Sequence, residues 1–320
     1  MTVPVSFDYK APDSIEEALA LLHESKDARL LAGGHELLTR LKLRHETAGL
    51  LVDLRNFPEL KNIAENLGKS AFHIGAMVTC NDLVTHFSGH KNLGVLVEAA
   101  DSVGDAQVRN CTTVGGNLGG GNPAADLAAA FLALDANMTI RSHSGTREVS
   151  ADQFFVGPFE TVLKADEMIT QIVVPVRAGL TVTAYEKIRN PASSYPLCAA
   201  AVVVRLTEKD LVSDCRVAIT GASTRPVRLP VVEDALKGKT LDPATIEKAS
   251  SQGADNMTFL SDHAASAEYR AHLANVTVER ALTKAASLIK SWNQRRLGDQ
   301  DKDHPRDNGK APLPAMTKAK

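Results

Sequence analysis

A chain of 320 residues that is 44% hydrophobic is long enough for one large core or two domains. Its net charge of −2 gives no electrostatic reason to expect nucleic acid, and no run approaches the roughly 20 apolar residues of a membrane span. Cys80, Cys111, Cys198 and Cys215 are widely spaced and form no CxxC pair, so they read as reduced, buried thiols of a cytoplasmic protein and not as a cluster or zinc site.

Taken in order, the chain opens on Met1-Thr2-Val3-Pro4-Val5, which lacks the basic start and long apolar stretch of a secretory signal, so none is expected. Asp13 with Glu16 makes a capping-box-like start, and Ile15, Ala18, Leu19 and Leu22 fall on one face of the helix that follows. Residues 28–32 read as a strand running into Gly33-Gly34-His35-Glu36, followed by a helix over 37–43 and a strand over 50–54. This is a βαβ-type unit with its glycines at the carboxyl end of a strand, the place where such units bind ligands. A strand over 72–79, a short helix from Asn81 and a longer one over 92–103 come next. His86 and His90 are four apart, but Gly89 breaks the helix and no third ligand is suitably spaced, so no metal site is expected.

Gln107-Val108-Arg109-Asn110 then leads into a glycine-rich stretch with five glycines in the seven positions 115–121. Glycine lets the backbone take φ > 0 and approach a ligand closely, and consecutive N–H groups can then converge on an anion. Asn122 followed by Pro123 reads as the N-cap and first residue of a helix over 123–134, adding a positive helix end at the same place. A diphosphate-bearing cofactor suits this stretch; a glycine-rich surface loop without a ligand is the alternative. Neither glycine loop contains GxGxxG or GxxxxGK[ST], which argues against nicotinamide and P-loop readings.

Strand-like segments follow at 138–141 and 168–174, with turn signals at Ser144-Gly145 and Gly157-Pro158 between them. The second half reads as three closely spaced strands, 182–188, 197–206 and 214–221, then helices over 230–236, 243–253 and 264–290. Strands followed by helices make an α+β pattern. The expected division is a two-lobed domain over 1–178 (lobes 1–56 and 57–178), a C-terminal domain over 179–291, and a disordered polar tail over 292–320.

Ala32-Gly33-Gly34-His35-Glu36-Leu37-Leu38 resembles the first flavin loop of the FAD-binding subunits of molybdenum hydroxylases, the group that includes carbon monoxide dehydrogenase medium subunits and xanthine dehydrogenase flavin domains. Thr113-Val114-Gly115-Gly116-Asn117 and Asn122-Pro123-Ala124-Ala125-Asp126 resemble its second loop. Phe154-Phe155-Val156-Gly157-Pro158, Asp166-Glu167-Met168-Ile169, Tyr185-Glu186-Lys187 and Ser193-Ser194-Tyr195-Pro196-Leu197 extend the similarity in order across about residues 5–290.

The resemblance implies a small βαβ lobe and a larger mixed lobe that together bind FAD, followed by a three-stranded antiparallel sheet with helices. It implies non-covalent FAD, an iron–sulfur small subunit with [2Fe–2S] clusters, a large subunit with a molybdenum–pterin centre, assembly as a heterotrimer or its dimer, and a separate final electron acceptor. No catalytic residue of its own is expected, because the substrate is oxidised on a partner. The implied contacts are Ala32, Gly33, Gly34, His35, Glu36 and Leu37 from the first loop, and Thr113, Gly115, Gly116, Asn117, Asn122 and Asp126 from the second. N–H groups would hold the diphosphate and Asp126 would accept from sugar hydroxyls. Ile169, Lys187 and Tyr195 complete the set, although Lys187 also reads as a solvated strand lysine and Tyr195 as a core tyrosine. Glu36 stands where the family commonly has Ser, and the Gly119-Gly120-Gly121 run replaces an Ala/Ser-rich bridge. A stand-alone flavin oxidoreductase, with FAD attached through His35, and a flavin-free binding module are the alternatives.

Overall fold

The first lobe runs β1 (Asp8–Lys10), α1 (Ile15–Glu24), β2 (Ala28–Leu31), α2 (His35–Lys42) and β3 (Leu50–Asp53) in the computed structural model, which describes residues 4–66, 68, 70–177 and 179–300, with side chains to residue 292. Its three strands lie parallel in the order β1-β3-β2, as expected of a βαβ unit. Helix α1 is capped one residue later than the sequence suggests. Ser14 Oγ accepts from Glu17 N at 3.1 Å, and Glu17 reaches back to accept from Asp13 N at 3.0 Å.

The second lobe contains β4 (Ile63–Asn66), β5 (Ala71–Gly75), α3 (Cys80–Phe87), α4 (Gly94–Asp101), α5 (Ala106–Cys111), α6 (Val114–Gly119) and α7 (Asp126–Ala133). It continues through β6 (Asn137–Ser142), β7 (Gly145–Ser150), α8 (Ala151–Phe154), β8 (Phe155–Gly157), β9 (Glu160–Thr161) and β10 (Met168–Pro175). Five of its strands form an antiparallel sheet in the order β4-β5-β10-β6-β7, while β8 and β9 form a separate hairpin. The glycine-rich stretch differs from its expected loop form, because residues 114–119 close into a helix capped by Thr113 Oγ1. The following helix begins at Asp126, and Asn122 is not its cap: Asn122 Oδ1 accepts from Ala124 N at 2.9 Å in an Asx turn.

Beyond it lie β11 (Leu180–Arg189), β12 (Pro196–Leu206), β13 (Val212–Thr220), β14 (Val227–Arg228), α9 (Pro230–Leu236), α10 (Pro243–Ser250) and α11 (Ala267–Gln300). The C-terminal sheet is an antiparallel meander of four strands, one more than expected, because the short β14 pairs with β13. Helix α11 carries its register past the expected end at residue 290; the remainder of the expected tail, 301–320, lies outside the described residues.

Every residue of α7 is buried, and the helix lies between the second lobe and β12 and β13. Strand β12 explains how. Ala199 and Ala201 belong to the core around α7, while Cys198, Ala200, Val202 and Val204 belong to the core beneath α11. A strand covered on both faces reads as a continuous apolar run, and its alanines let helices approach from either side.

The two lobes meet through glycine. A Cβ on Gly33 would lie 1.6 Å from the Cys111 carbonyl oxygen at the end of α5. Within the second lobe, a Cβ on Gly115 would lie 2.7 Å from Ala76 Cβ, which seats the glycine-rich segment facing the first loop. Substituting Gly33 by Ala therefore forces the lobes apart, and thermal melts should show a loss of about 1–3 kcal/mol or more. An unchanged Tm would show that the loops separate freely.

Acid should unfold the protein through its paired carboxylates. Hydrogen bonds from Arg147 hold Glu167 below the usual carboxylate range. Burial would push Asp53 up, but hydrogen bonds from Arg55 and Tyr9 outweigh it and hold Asp53 low as well. A lowered folded pKa contributes stability above the ordinary value of about 4, and that stability is lost as pH falls through the lowered one. Tm should thus fall steeply below about pH 4, and Glu167→Gln should lower Tm near neutrality while flattening the acid limb.

Candidate functional site

A cleft of about 640 Å³ opens between the lobes, within the range of cofactor-sized sites. Its first wall is the turn from β2 into α2. Gly34 caps α2 with φ 74°, a left-handed conformation that favours glycine, and offers no side chain to the helix. The first-turn N–H groups of His35, Glu36 and Leu37 therefore have neither an intrahelical acceptor nor a side-chain cap, and they lie at the positive end of the helix. Ala32, Gly33, Gly34, His35, Glu36 and Leu37 all line the cleft.

The second wall is the glycine-rich segment, and its backbone is used differently than its composition suggests. Val114 N donates to Val78 O at 2.8 Å and Gly115 N to Ala76 O at 2.7 Å. Gly116 N donates to Thr113 Oγ1 at 3.2 Å, and Asn117 N to Thr113 O at 2.9 Å. The expected cluster of free N–H groups over 115–117 is absent, because Gly115 N is spent on the Ala76 carbonyl and the N–H groups of Gly116 and Asn117 on Thr113. Thr113, Gly115, Gly116, Asn117 and Asn122 nevertheless line the cleft.

Asp126 is 4% exposed, and its carboxylate accepts from Tyr185 Oη at 2.7 Å and Lys187 Nζ at 2.9 Å. Lys187 is neither solvated nor on the cleft wall. Its side chain is 4% exposed, with Nζ between Asp126 and Ser102 O, which accepts at 3.0 Å. Burial pushes the Asp126 carboxyl up and the Lys187 amine down, each opposed by the other. Asp126 thus lines the cleft as a carboxylate already engaged by the protein, and Lys187 acts through it. Tyr195 lines the mouth and is 37% exposed, so it is not a core tyrosine. Ile169, 5% exposed, supplies apolar wall.

The structure adds residues that sequence reading does not assign. Val103, Gly104, Asp105 and Val108 complete the wall beside α5. Phe159 stands at the lip, half exposed and with φ 58°, and donates N–H to Gly121 O at 2.9 Å. A bulky residue with positive φ is unusual, and such strain gathers at binding sites. The neighbouring Gly157-Pro158 turn signals the bend, but nothing local signals the aromatic lip.

The polar chemistry of the cleft is incomplete without a guest. Glu36 Oε1, Thr112 Oγ1 and Asn117 Oδ1 are buried on its wall with no partner in the protein. Buried polar groups left unpaired are costly, so the arrangement suits an extended guest that carries hydroxyl and amide groups. An uncapped helix start suits the anionic part of the same guest. FAD has all three, and these residues fit it. Among the described residues, no cluster of three or more His, Cys, Asp or Glu side chains is placed to hold a metal ion.

Comparison with known proteins gives two domain matches: the FAD binding domain in molybdopterin dehydrogenase over residues 5–177, and the CO dehydrogenase flavoprotein C-terminal domain over residues 183–285. The chain is 36% identical over 284 residues to the carbon monoxide dehydrogenase medium chain of Hydrogenophaga pseudoflava, covering 88% of this chain and 98% of that one. It is 34% identical over 279 residues to the nicotine 6-hydroxylase medium subunit of Paenarthrobacter nicotinovorans, covering 87% and 97% of the two chains. The fold superposes with a TM-score of 0.85, at 36% identity and covering 89% and 99% of the chains, on the H. pseudoflava carbon monoxide dehydrogenase solved without the Mo-pyranopterin moiety of its molybdenum cofactor.

The Asp126–Lys187 pair behind the wall is testable by itself. Removing the amine leaves a buried carboxylate unpaired, so Lys187→Met should destabilise by about 3–5 kcal/mol in chemical denaturation. Adding Asp126→Asn should restore part of that loss. If the single variant is as stable as the parent, the pair does not hold α7 to β11.

Proposed function

The chain belongs to the FAD-binding subunits of the molybdopterin dehydrogenases, and from that membership we propose that it is the electron-relaying flavoprotein of a larger complex rather than the chain that holds the organic substrate. In this reading the substrate is oxidised at a molybdenum–pterin centre on a large partner subunit. Electrons pass through [2Fe–2S] clusters on a small partner subunit, and this chain delivers them to the final acceptor. The assembly is a cytoplasmic heterotrimer or its dimer. Residues 1–178 form the flavin domain and 179–291 the C-terminal domain.

Bound flavin supplies the ability to accept electrons singly and deliver them in pairs. The chain supplies position and shelter. The N–H groups at the start of α2 hold the diphosphate without covalent attachment, and Gly33 and Gly34 keep that approach clear of side chains. Thr112 and Asn117 pair with the polar edge of the guest, Ala32 and Ile169 give it an apolar wall, and Tyr195 and Phe159 flank the opening. Asp126, braced by Lys187 and Tyr185, positions the first turn of α7 against the cleft.

The observation that carries the reading is the trio of buried, unpartnered side-chain atoms around a cleft of about 640 Å³ beside an uncapped helix start. An absorbance spectrum of the purified chain, taken before and after acid precipitation, tests it. Flavin bands that move into the supernatant are the expected result, followed by co-purification with the iron–sulfur and molybdenum chains. Flavin held in the pellet would point instead to covalent attachment, for which His35, exposed at the start of α2 and on the cleft wall, is the candidate. No flavin after incubation with excess FAD would overturn the proposal.

A further inference from the structure

Glu36 is the second residue of α2, and its side chain crosses the cleft toward the other loop. Its Oε2 lies 3.2 Å from where a Cβ on Gly120 would stand, so glycine at 120 is what leaves room for the carboxyl beside Asn122. Its Oε1 is buried and without any hydrogen-bond partner. The Asn122 side chain donates to this carboxyl, but Oε1 is left an acceptor without a donor, at the helix end best suited to an anionic guest.

The charges around it oppose its burial only weakly. Arg40, one turn along α2, has Nη1 4.0 Å from Glu36 Oε1, beyond hydrogen-bond reach. Its guanidinium is held elsewhere, with Nε 3.3 Å from Glu46 and its centre 5.2 Å from the Phe159 ring centroid. Glu46 adds a second negative charge nearby and is shared with Arg29 at 2.8 Å. Across the cleft stand the Tyr195 phenol, the neutral Asn122 and the engaged carboxylate of Asp126, and His35 beside it is exposed. Burial pushes the Glu36 carboxyl above the usual range, against the weaker pull of Asn122 and Arg40.

We propose that Glu36 meets the diphosphate of FAD as the protonated acid, donating its O–H to a phosphate oxygen, so that binding takes up a proton from solvent. The proposal rests on the flavin reading above. An ionised Glu36 would repel the diphosphate and compete with it for the N–H groups of α2. One proton removes both conflicts and turns the orphaned acceptor into a donor. The diphosphate of FAD is a diester that stays ionised near neutrality, so the proton resides on Glu36. Retention of the cofactor then falls as pH rises.

The test is a fluorescence titration of the full apo-chain with FAD from about pH 5.5 to about pH 8.5, on the parent and on Glu36→Gln. The parent Kd should weaken with pH, approaching about tenfold per unit once Glu36 ionises, whereas Gln, a donor of the same shape, should bind with a flat profile. Calorimetry of the parent in two buffers of different ionisation heat should show proton uptake on binding, and this readout stands even if the variant fails to fold. A flat parent profile, the same slope in Glu36→Gln, or heats independent of buffer would each overturn the role of Glu36. No FAD binding at any pH would instead overturn the flavin reading itself.

Discussion

The backbone of Gly33 lies against the carbonyl of Cys111, and the rest of the site depends on that approach. Where a Cβ would fall 1.6 Å from an oxygen, no side chain is possible, so only glycine lets the first loop seat on the end of α5. Seated there, α2 directs its uncapped N-terminus into the space between the lobes. The second loop is fixed by the same means, because Gly115 packs on Ala76 and the N–H groups of Val114 and Gly115 donate to carbonyls of the segment that leaves β5. The cleft is the gap left when the Gly33 contact brings the two lobes together and the Gly115 contact seats the second loop within its own lobe.

The two loops thereby take different chemical parts, although both look like anion cradles in one dimension. The first loop keeps its N–H groups free, since a left-handed glycine cap contributes no side-chain acceptor. The second gives its N–H groups to the protein and keeps side-chain atoms free, notably Asn117 Oδ1 and Thr112 Oγ1. One wall therefore presents donors at a positive helix end and the other presents acceptors and hydroxyls. That asymmetry suits a guest with an anionic diphosphate at one place and sugar and ring hydrogen-bonding groups at another.

The C-terminal sheet holds this arrangement from behind. Helix α7, buried on all sides, rests on the alanine face of β12, and the pair formed by Asp126 and Lys187 ties its first turn to β11. A second ionic cluster reinforces the junction, where Asp135 at the end of α7 meets Arg216 of β13 at 3.1 Å and Arg228 of β14 at 3.4 Å. Charges from α7 and the C-terminal strands thus meet at both ends of one apolar helix. The wall of the cleft cannot shift without separating them.

Local sequence determined most of the longer elements and the two glycine segments, but not the short strands β1, β4, β7, β8 and β9. Alternation and helical periodicity place β2, β3, β10 and the C-terminal strands to within a few residues, and Ala32-Gly33-Gly34-His35-Glu36 and Thr113-Val114-Gly115-Gly116-Asn117 mark both cleft walls. Such signals are legible because propensity, turn chemistry and glycine's freedom act over a few neighbouring residues. Only the tertiary structure decided which groups remain available. That the N–H groups over 115–117 are consumed, that Lys187 stands behind Asp126, that Phe159 forms the lip and that Glu36 lies over Gly120 all depend on partners far away along the chain. A hydrogen bond is settled by where its partner lies in space, and sequence spacing carries no record of that position.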